Sequence, residues 1–256
     1  MKNILTIDIG NTNITAGLFC CKHLSEKCKI PTAAYSSYDR LFKQFFGSCG
    51  VTAHEVTEVI ISSVVPLALS RLVYYLNKTP GRIIRITGKD VDVPIKNLYK
   101  VKSEVGQDRL VNAFAANKLY GAPCVIVDFG TAITFDIVSG KGEYLGGLIL
   151  PGIKMSLKSL YDRTALLPKV ELKAVSNIIG KDTINSMRGG ILFGFGAMCD
   201  GLVSQYRKIL GKGAKVIATG GNAGLVKRYA KSINIVDEDL TLRGLFLIYK
   251  SLARCA

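Results

Sequence analysis

The chain is poor in histidine, in proline and in negative charge. Only His23 and His54 occur in 256 residues, and no Cys-x-x-Cys pair accompanies them, so no zinc-ligand spacing is present. Seven prolines stand against 26 glycines, the balance of a chain with many tight turns and few rigid breaks. No run of 18 apolar residues exists, so no membrane-spanning helix and no membrane partner are expected. Asp8 interrupts the first apolar stretch and no small-residue cleavage site follows it, so no secretory signal is expected. The seven cysteines (Cys20, Cys21, Cys28, Cys49, Cys124, Cys199 and Cys255) are odd in number. They read as reduced, mostly buried thiols of a cytoplasmic protein and not as a disulfide framework.

What is present suffices for one large or two medium domains: 48% of residues are hydrophobic, ample for a substantial core. Lys and Arg number 34 against 19 acidic residues, a formal net charge of +15. The basic residues are scattered. The densest groups, Arg207-Lys208 and 227–231, are short and carry little aromatic interleaving, so no nucleic-acid partner is expected. A basic field of this kind draws in small anions.

Hydrophobic periodicity predicts strands over 2–8 and 13–20 around a tight Gly10-Asn11-Thr12 turn, and a helix over 39–50. A strand over 59–63, a helix over 67–76 following Pro66 and a strand over 82–86 come next. Residues 87–103 read as irregular, Pro94 opposing a regular helix, and 107–120 as a helix apolar at Leu110, Val111, Phe114 and Leu119. The pattern then begins again: a strand over 124–128 ending in Asp, a Gly130-Thr131 turn, strands over 133–138 and 144–150, helices over 153–161 and 183–209, a strand over 215–218 and a terminal helix over 240–252. This weak internal repeat predicts two domains, 1–119 and 120–256, parted where Tyr120-Gly121-Ala122-Pro123 breaks the helix.

Asp8-Ile9-Gly10-Asn11-Thr12-Asn13 brings a carboxylate to the end of a sheet. Gly10 allows close approach of the backbone, and N–H groups with the Thr12 hydroxyl suit phosphate oxygens. A carboxylate repels phosphate, so a Mg²⁺ between Asp8 and an ATP phosphate is the sensible arrangement. Taken alone, the motif reads equally well as an ordinary hairpin. Asp128-Phe129-Gly130-Thr131-Ala132 repeats the same chemistry in the second half, and two such turns in equivalent places point to a phosphate clamp across a domain cleft. Ala218-Thr219-Gly220-Gly221-Asn222-Ala223 fits an adenosine-binding turn. Gly106-Gln107-Asp108-Arg109 opens a helix. Both histidines lie outside every motif, so Asp108 is the better candidate for the base that takes the acceptor's proton, and Arg109 offers a planar fork for a carboxylate or the transferring phosphate. Without the other motifs, Asp108 reads as a helix cap and Arg109 as a surface cation.

The ordered set of Asp8–Asn13, Ile61-Ser62-Ser63-Val64-Val65-Pro66, Gly106–Arg109, Asp128–Ala132, Gly146-Gly147 with Pro151-Gly152, and Ala218–Gly221 resembles type III pantothenate kinase over nearly the whole chain. The resemblance implies an α/β fold of two ribonuclease-H-like (actin-like ATPase) domains with an active-site cleft. It implies ATP-dependent phosphorylation of pantothenate at the start of coenzyme A biosynthesis, in a homodimer with active sites at the subunit interface. It assigns Asp8, Ile9, Gly10, Asn11, Thr12, Asn13, Ile14 and Thr15 to ATP and its metal, and Thr131 to ATP. Asp108 becomes the proton acceptor. Tyr99, Gly106, Gln107, Asp108, Arg109 and Thr183 contact pantothenate, and Asp128 binds a monovalent cation, K⁺ or NH₄⁺. One position departs from the pattern: Gln107 stands where the family usually has alanine. Two other readings share the motifs, a non-catalytic regulatory relative and a kinase for another small hydroxyl compound.

Overall fold

The structure is a computed structural model that describes residues 3–252. Lys2 of the expected first strand and Cys255 lie outside the described residues. In chain order the elements are β1 (Asn3–Ile9), β2 (Asn13–Cys20), β3 (His23–Pro31), α1 (Tyr38–Ser48), β4 (Val56–Ser63), α2 (Pro66–Leu76), β5 (Ile83–Ile86) and α3 (Gln107–Tyr120). They continue with β6 (Cys124–Phe129), β7 (Ala132–Val138), β8 (Tyr144–Pro151), α4 (Ile153–Asp162), α5 (Thr183–Leu210), β9 (Lys215–Thr219), α6 (Ala223–Val226), β10 (Ile235–Val236) and α7 (Leu240–Leu252). Among the described residues no helix is long and apolar enough to cross a membrane.

Two five-stranded sheets form, in the orders β3-β2-β1-β4-β5 and β10-β9-β6-β7-β8. Each has the same plan. A central strand pairs antiparallel with its hairpin partner on one side and parallel with a later strand on the other, β1 with β2 and β4, and β6 with β7 and β9. This repeat is the ribonuclease-H-like arrangement expected from the sequence.

In the first unit, β1 is buried on both faces, as a central strand must be. Leu5, Ile7 and Ile9 pack in one cluster with Phe42, Phe45 and Phe46 of α1 and with Leu72 and Leu76 of α2. Ile4 faces the other way, into a smaller cluster with Phe19, Leu242 and Phe246. The rings of Phe19 and Phe246 stack with centroids 4.3 Å apart. Strand β3 is absent from the sequence expectation for a physical reason. It is a sheet edge, largely exposed and bearing Glu26, Lys27 and Lys29, so it lacks the apolar alternation that signals a strand, as protected edges do. α6 and β10 are too short to leave a period.

In the second unit, Val125, Val127 and Phe129 of β6 pack with Phe135 of β7, Ile191 and Val203 of α5 and Val216 of β9. The fully buried Asp136 accepts hydrogen bonds from the hydroxyls of Tyr144 (2.8 Å) and Thr134 (3.0 Å), so its charge is not left unsatisfied. The Tyr144 backbone pairs with Lys96 and Leu98, which fastens the short 96–100 segment to β8.

Among the described residues, the first compact unit comprises 3–95, Val101–Ala115 and 240–252; the second comprises Lys96–Lys100 and Ala116–Asp239. The sequence predicts one division at 119/120, which leaves α7 in the second half. In the structure α7 belongs to the first unit, because Leu242 and Phe246 match the apolar patch that Ile4 and Phe19 leave on the outer face of the first sheet. A helix's own periodicity cannot say which sheet receives its apolar face. Removing the stacked ring tests this docking: Phe246→Ala is expected to cost about 3–5 kcal/mol of stability, read as a lower midpoint in urea unfolding, with α7 protected less from hydrogen exchange.

Candidate active site

The first unit gathers three of the sequence motifs at the carboxyl end of its central strand. β1 ends in Asp8-Ile9, and the turn to β2 is closed by the Gly10 N–H donating to the Asn13 carbonyl (3.0 Å). Thr32, buried and unremarked in the sequence, braces this turn. Its hydroxyl donates to the Gly10 carbonyl at 2.7 Å, and its N–H donates to the Thr12 carbonyl at 3.0 Å. Asn11, Thr12 and Asn13 are exposed, Asp8 is half-buried, and the Ile9 and Ile14 side chains are wholly within the core. Thr15 sits opposite Asp8 in the hairpin register.

The Ile61–Pro66 motif is the parallel neighbour of this turn. Asp8 pairs with Ser62 in the β1–β4 register, and Val64 donates its N–H to the Ile9 carbonyl at 3.1 Å. A Cβ placed on Gly106 would lie 3.6 Å from Val64 Cγ1 and 2.5 Å from Asp108 Oδ1, so Gly106–Arg109 stands next to the residue that follows β4, and a side chain at its first residue would displace the Asp108 carboxylate. Asp108 and Arg109 begin α3. Asp108 is half-buried and Arg109 buried. The Gln107 side chain is turned onto Gly88, whose φ is +75° and where a Cβ would lie 2.6 Å from the Gln107 amide. The longer side chain is thus accommodated by a glycine turn.

The fully buried Ser62 hydroxyl has no hydrogen-bond partner among the described residues. A buried oxygen beside a carboxylate at a strand end suits a hydrated Mg²⁺, which typically takes one or two carboxylates and completes its shell with phosphate oxygens and waters. Among the described residues no group of three or more His, Cys, Asp or Glu stands ready to hold a metal ion. Asp8 and its surroundings therefore fit the expected metal.

In the second unit, Asp128 closes β6 beside Thr219 of β9. Gly220, at φ +86°, has no space for a Cβ, which would collide with Asp128 Oδ1 and the Phe129 backbone. A Cβ on Gly152 would likewise collide with the Thr131 carbonyl. Asn222 Nδ2 donates to the Phe129 carbonyl at 3.3 Å. The structure thus brings the Asp128-Phe129-Gly130-Thr131 turn, Pro151-Gly152 and Gly220–Asn222 together around a half-buried carboxylate. Such a cradle of backbone and one carboxylate fits a weakly hydrated cation. Tyr99 packs next to Gly146, where a Cβ would lie 3.2 Å from its ring. Thr183 is exposed at the start of α5. There the Asp182 side chain accepts from the Asn185 N–H at 2.8 Å, a bond that holds its carboxyl below the ordinary range.

Burial pushes the Asp108 carboxyl above its ordinary value, opposed by its bond from the Arg109 N–H and by the Arg109 charge. A carboxyl with a raised folded-state pKa favours the folded state at low pH, and that contribution is lost as pH rises through the folded value. Asp108→Asn keeps an oxygen for the Arg109 N–H (2.9 Å) and carries no charge. It is expected to raise the melting temperature near neutral pH, with the gain fading as pH falls toward the ordinary aspartate value of 3.8. Melting curves across this range check the prediction, and a loss of stability at neutral pH contradicts it.

The family profile for type III pantothenate kinase matches residues 4–205. A type III pantothenate kinase of Myxococcus xanthus is 41% identical over 253 residues, covering 96% of this chain and 97% of the relative. One from Desulforapulum autotrophicum is 43% identical over 253 residues, covering 96% and 95%. Among solved structures, (R)-2-hydroxyglutaryl-CoA dehydratase component A of Acidaminococcus fermentans superposes with a TM-score of 0.55 at 12% identity, covering 98% of this chain and 100% of that one. That likeness concerns the fold alone. With full-length relatives at about 40% identity and motifs assembled at the ends of both central strands, the chain belongs to the type III pantothenate kinase family.

Proposed function

We propose that this protein transfers the γ-phosphoryl group of ATP to the hydroxyl of pantothenate, the entry into coenzyme A biosynthesis. The observation that carries the reading is Asp108, a half-buried carboxylate at the start of α3 whose affinity for a proton is raised by burial. A base must match its working pH, and a raised carboxylate moves in that direction. Asp108 takes the proton of the acceptor hydroxyl. Arg109 fixes an anionic group, either the substrate carboxylate or the transferring phosphate. Gly106 and Gln107 line the acceptor pocket through their backbone, since the Gln107 side chain is occupied at Gly88. Tyr99 and Thr183 complete the pantothenate contacts.

The Gly10 N–H is committed inside its turn, so the phosphate grip falls to Asn11, Thr12 and Asn13, backed by the Ile9, Ile14 and Thr15 backbone. Asp8 holds the Mg²⁺, which when bound neutralises charge on the phosphates. Thr131 contacts ATP, and Asp128 with its glycine cradle takes K⁺ or NH₄⁺. The homodimer reading is supported by the edge strand β8, whose Leu148 and Ile149 are exposed, as are Met155 and Tyr161 of α4; exposed large apolar side chains on a sheet edge suit an association face.

Purified protein is expected to consume ATP in a pantothenate-dependent way with Mg²⁺ and K⁺ present; absence of that dependence in folded protein refutes the proposal. Asp108→Asn is expected to lower kcat by roughly 10²–10⁴-fold with ATP binding retained. Replacing K⁺ and NH₄⁺ by Na⁺ is expected to abolish most of the activity, and unchanged turnover removes Asp128 from its cation role. Sedimentation is expected to give a dimer that Ile149→Asp dissociates.

A further inference from the structure

Within the Ile61–Pro66 motif three positions have visible local tasks. Ser63 Oγ accepts the Val65 N–H at 3.1 Å, Val64 extends the pairing to Ile9, and Pro66 starts α2. Ser62 has none. It is 0% exposed, and its hydroxyl finds no donor or acceptor among the described residues. Thr6, equally buried on the neighbouring strand, shows the usual solution: its hydroxyl donates to the Gly17 carbonyl at 3.1 Å. Leaving a buried hydroxyl unmet is costly, and a strand interior of this kind readily takes alanine. Polar groups kept against stability belong to function more often than to packing.

The position says which function. Ser62 and Asp8 are register partners on adjacent parallel strands, about 4.8 Å apart, and registered partners present their side chains on one face of the sheet. Ile7 and Ile61, the preceding pair, face the apolar cluster under α2, so the Asp8–Ser62 pair faces the other way, where a carboxylate and a hydroxyl are the only polar groups this pair of strand ends offers. We propose that Ser62 is the outer-shell partner of the metal held at Asp8: its oxygen accepts a hydrogen bond from a water of the Mg²⁺ hydration shell when Mg²⁺–ATP binds. Ser62 is a positioning residue in this role and touches neither ATP nor pantothenate. The proposal rests on the Mg²⁺–ATP reading of Asp8.

The test measures binding and stability apart from turnover. A non-hydrolysable ATP analogue is titrated by calorimetry into the full-length parent, Ser62→Ala and Asp8→Asn, with Mg²⁺ and with EDTA. For Ser62→Ala the metal-free affinity is expected to equal the parent's, while the Mg²⁺-dependent gain falls about tenfold or more, the usual effect of removing an outer-shell partner. The ligand-free melting temperature is expected to stay level or rise, by about 2–12 °C if the full cost of the unmet hydroxyl is recovered. Asp8→Asn is expected to lose the Mg²⁺-dependent gain altogether. A parental gain in Ser62→Ala beside a lost gain in Asp8→Asn overturns the Ser62 role alone. A parental gain in Asp8→Asn overturns the reading beneath it. A Ser62→Ala chain that fails to fold, or melts well below the parent, shows a hydroxyl already bonded in the ligand-free fold and overturns the proposal as well.

Discussion

Both halves of this molecule depend on one arrangement: a central strand sealed on both faces that surfaces only at its last residues, on an aspartate. Ile4 through Ile7 of β1 and Cys124 through Val127 of β6 are buried without a break, and Asp8 and Asp128 are the first residues to regain solvent. An ionised carboxylate could not remain inside either sheet without a partner. At the strand end it keeps its charge, while the rigid sheet fixes its position. The hairpin partner must then leave by a tight turn, which puts glycine two residues after each aspartate.

The parallel neighbour makes the two sites different. Beside Asp8 it delivers Ser62, and its continuation reaches the start of α3 through Val64 and Gly106. Beside Asp128 it delivers Thr219 and then Gly220, so the carboxylate faces backbone. The same topology thus yields a carboxylate next to an unmet hydroxyl in one unit and a carboxylate in a glycine cradle in the other. Small hard cations demand strict geometry and retained water, whereas larger cations accept backbone oxygens more loosely. A duplicated fold can in this way specialise its two ends without altering its core.

Much of the scaffold is legible in the residues. The β1–β2 and β6–β7 hairpins follow from apolar runs that stop at Asp-x-Gly, and α3 and α7 have the bounds that periodicity predicts. Strand β3 is illegible because an exposed edge needs no apolar face, and its lysines disguise it as a loop. In the candidate site, Asp8 and Asp128 stand out in the sequence as charges at the ends of apolar segments, whereas Asp108 and Arg109 stand out only beside the other motifs, since alone they read as a helix cap and a surface cation. Thr32 is illegible, since its bonds to Gly10 and Thr12 cross 22 and 20 residues of chain and leave no local trace.

The sequence by itself determined the repeat, the two aspartate turns, the Gly106–Arg109 motif and the family resemblance, because these depend on local spacing and residue chemistry. Only the tertiary structure decided which sheet receives α7, that Gln107 turns onto Gly88, that Asp108 is desolvated, and that Ser62 lies unmet beside Asp8. Each of these is a relation between residues distant in the chain. Burial and hydrogen bonding are set by neighbours in space, and those neighbours exist only once the sheets have paired.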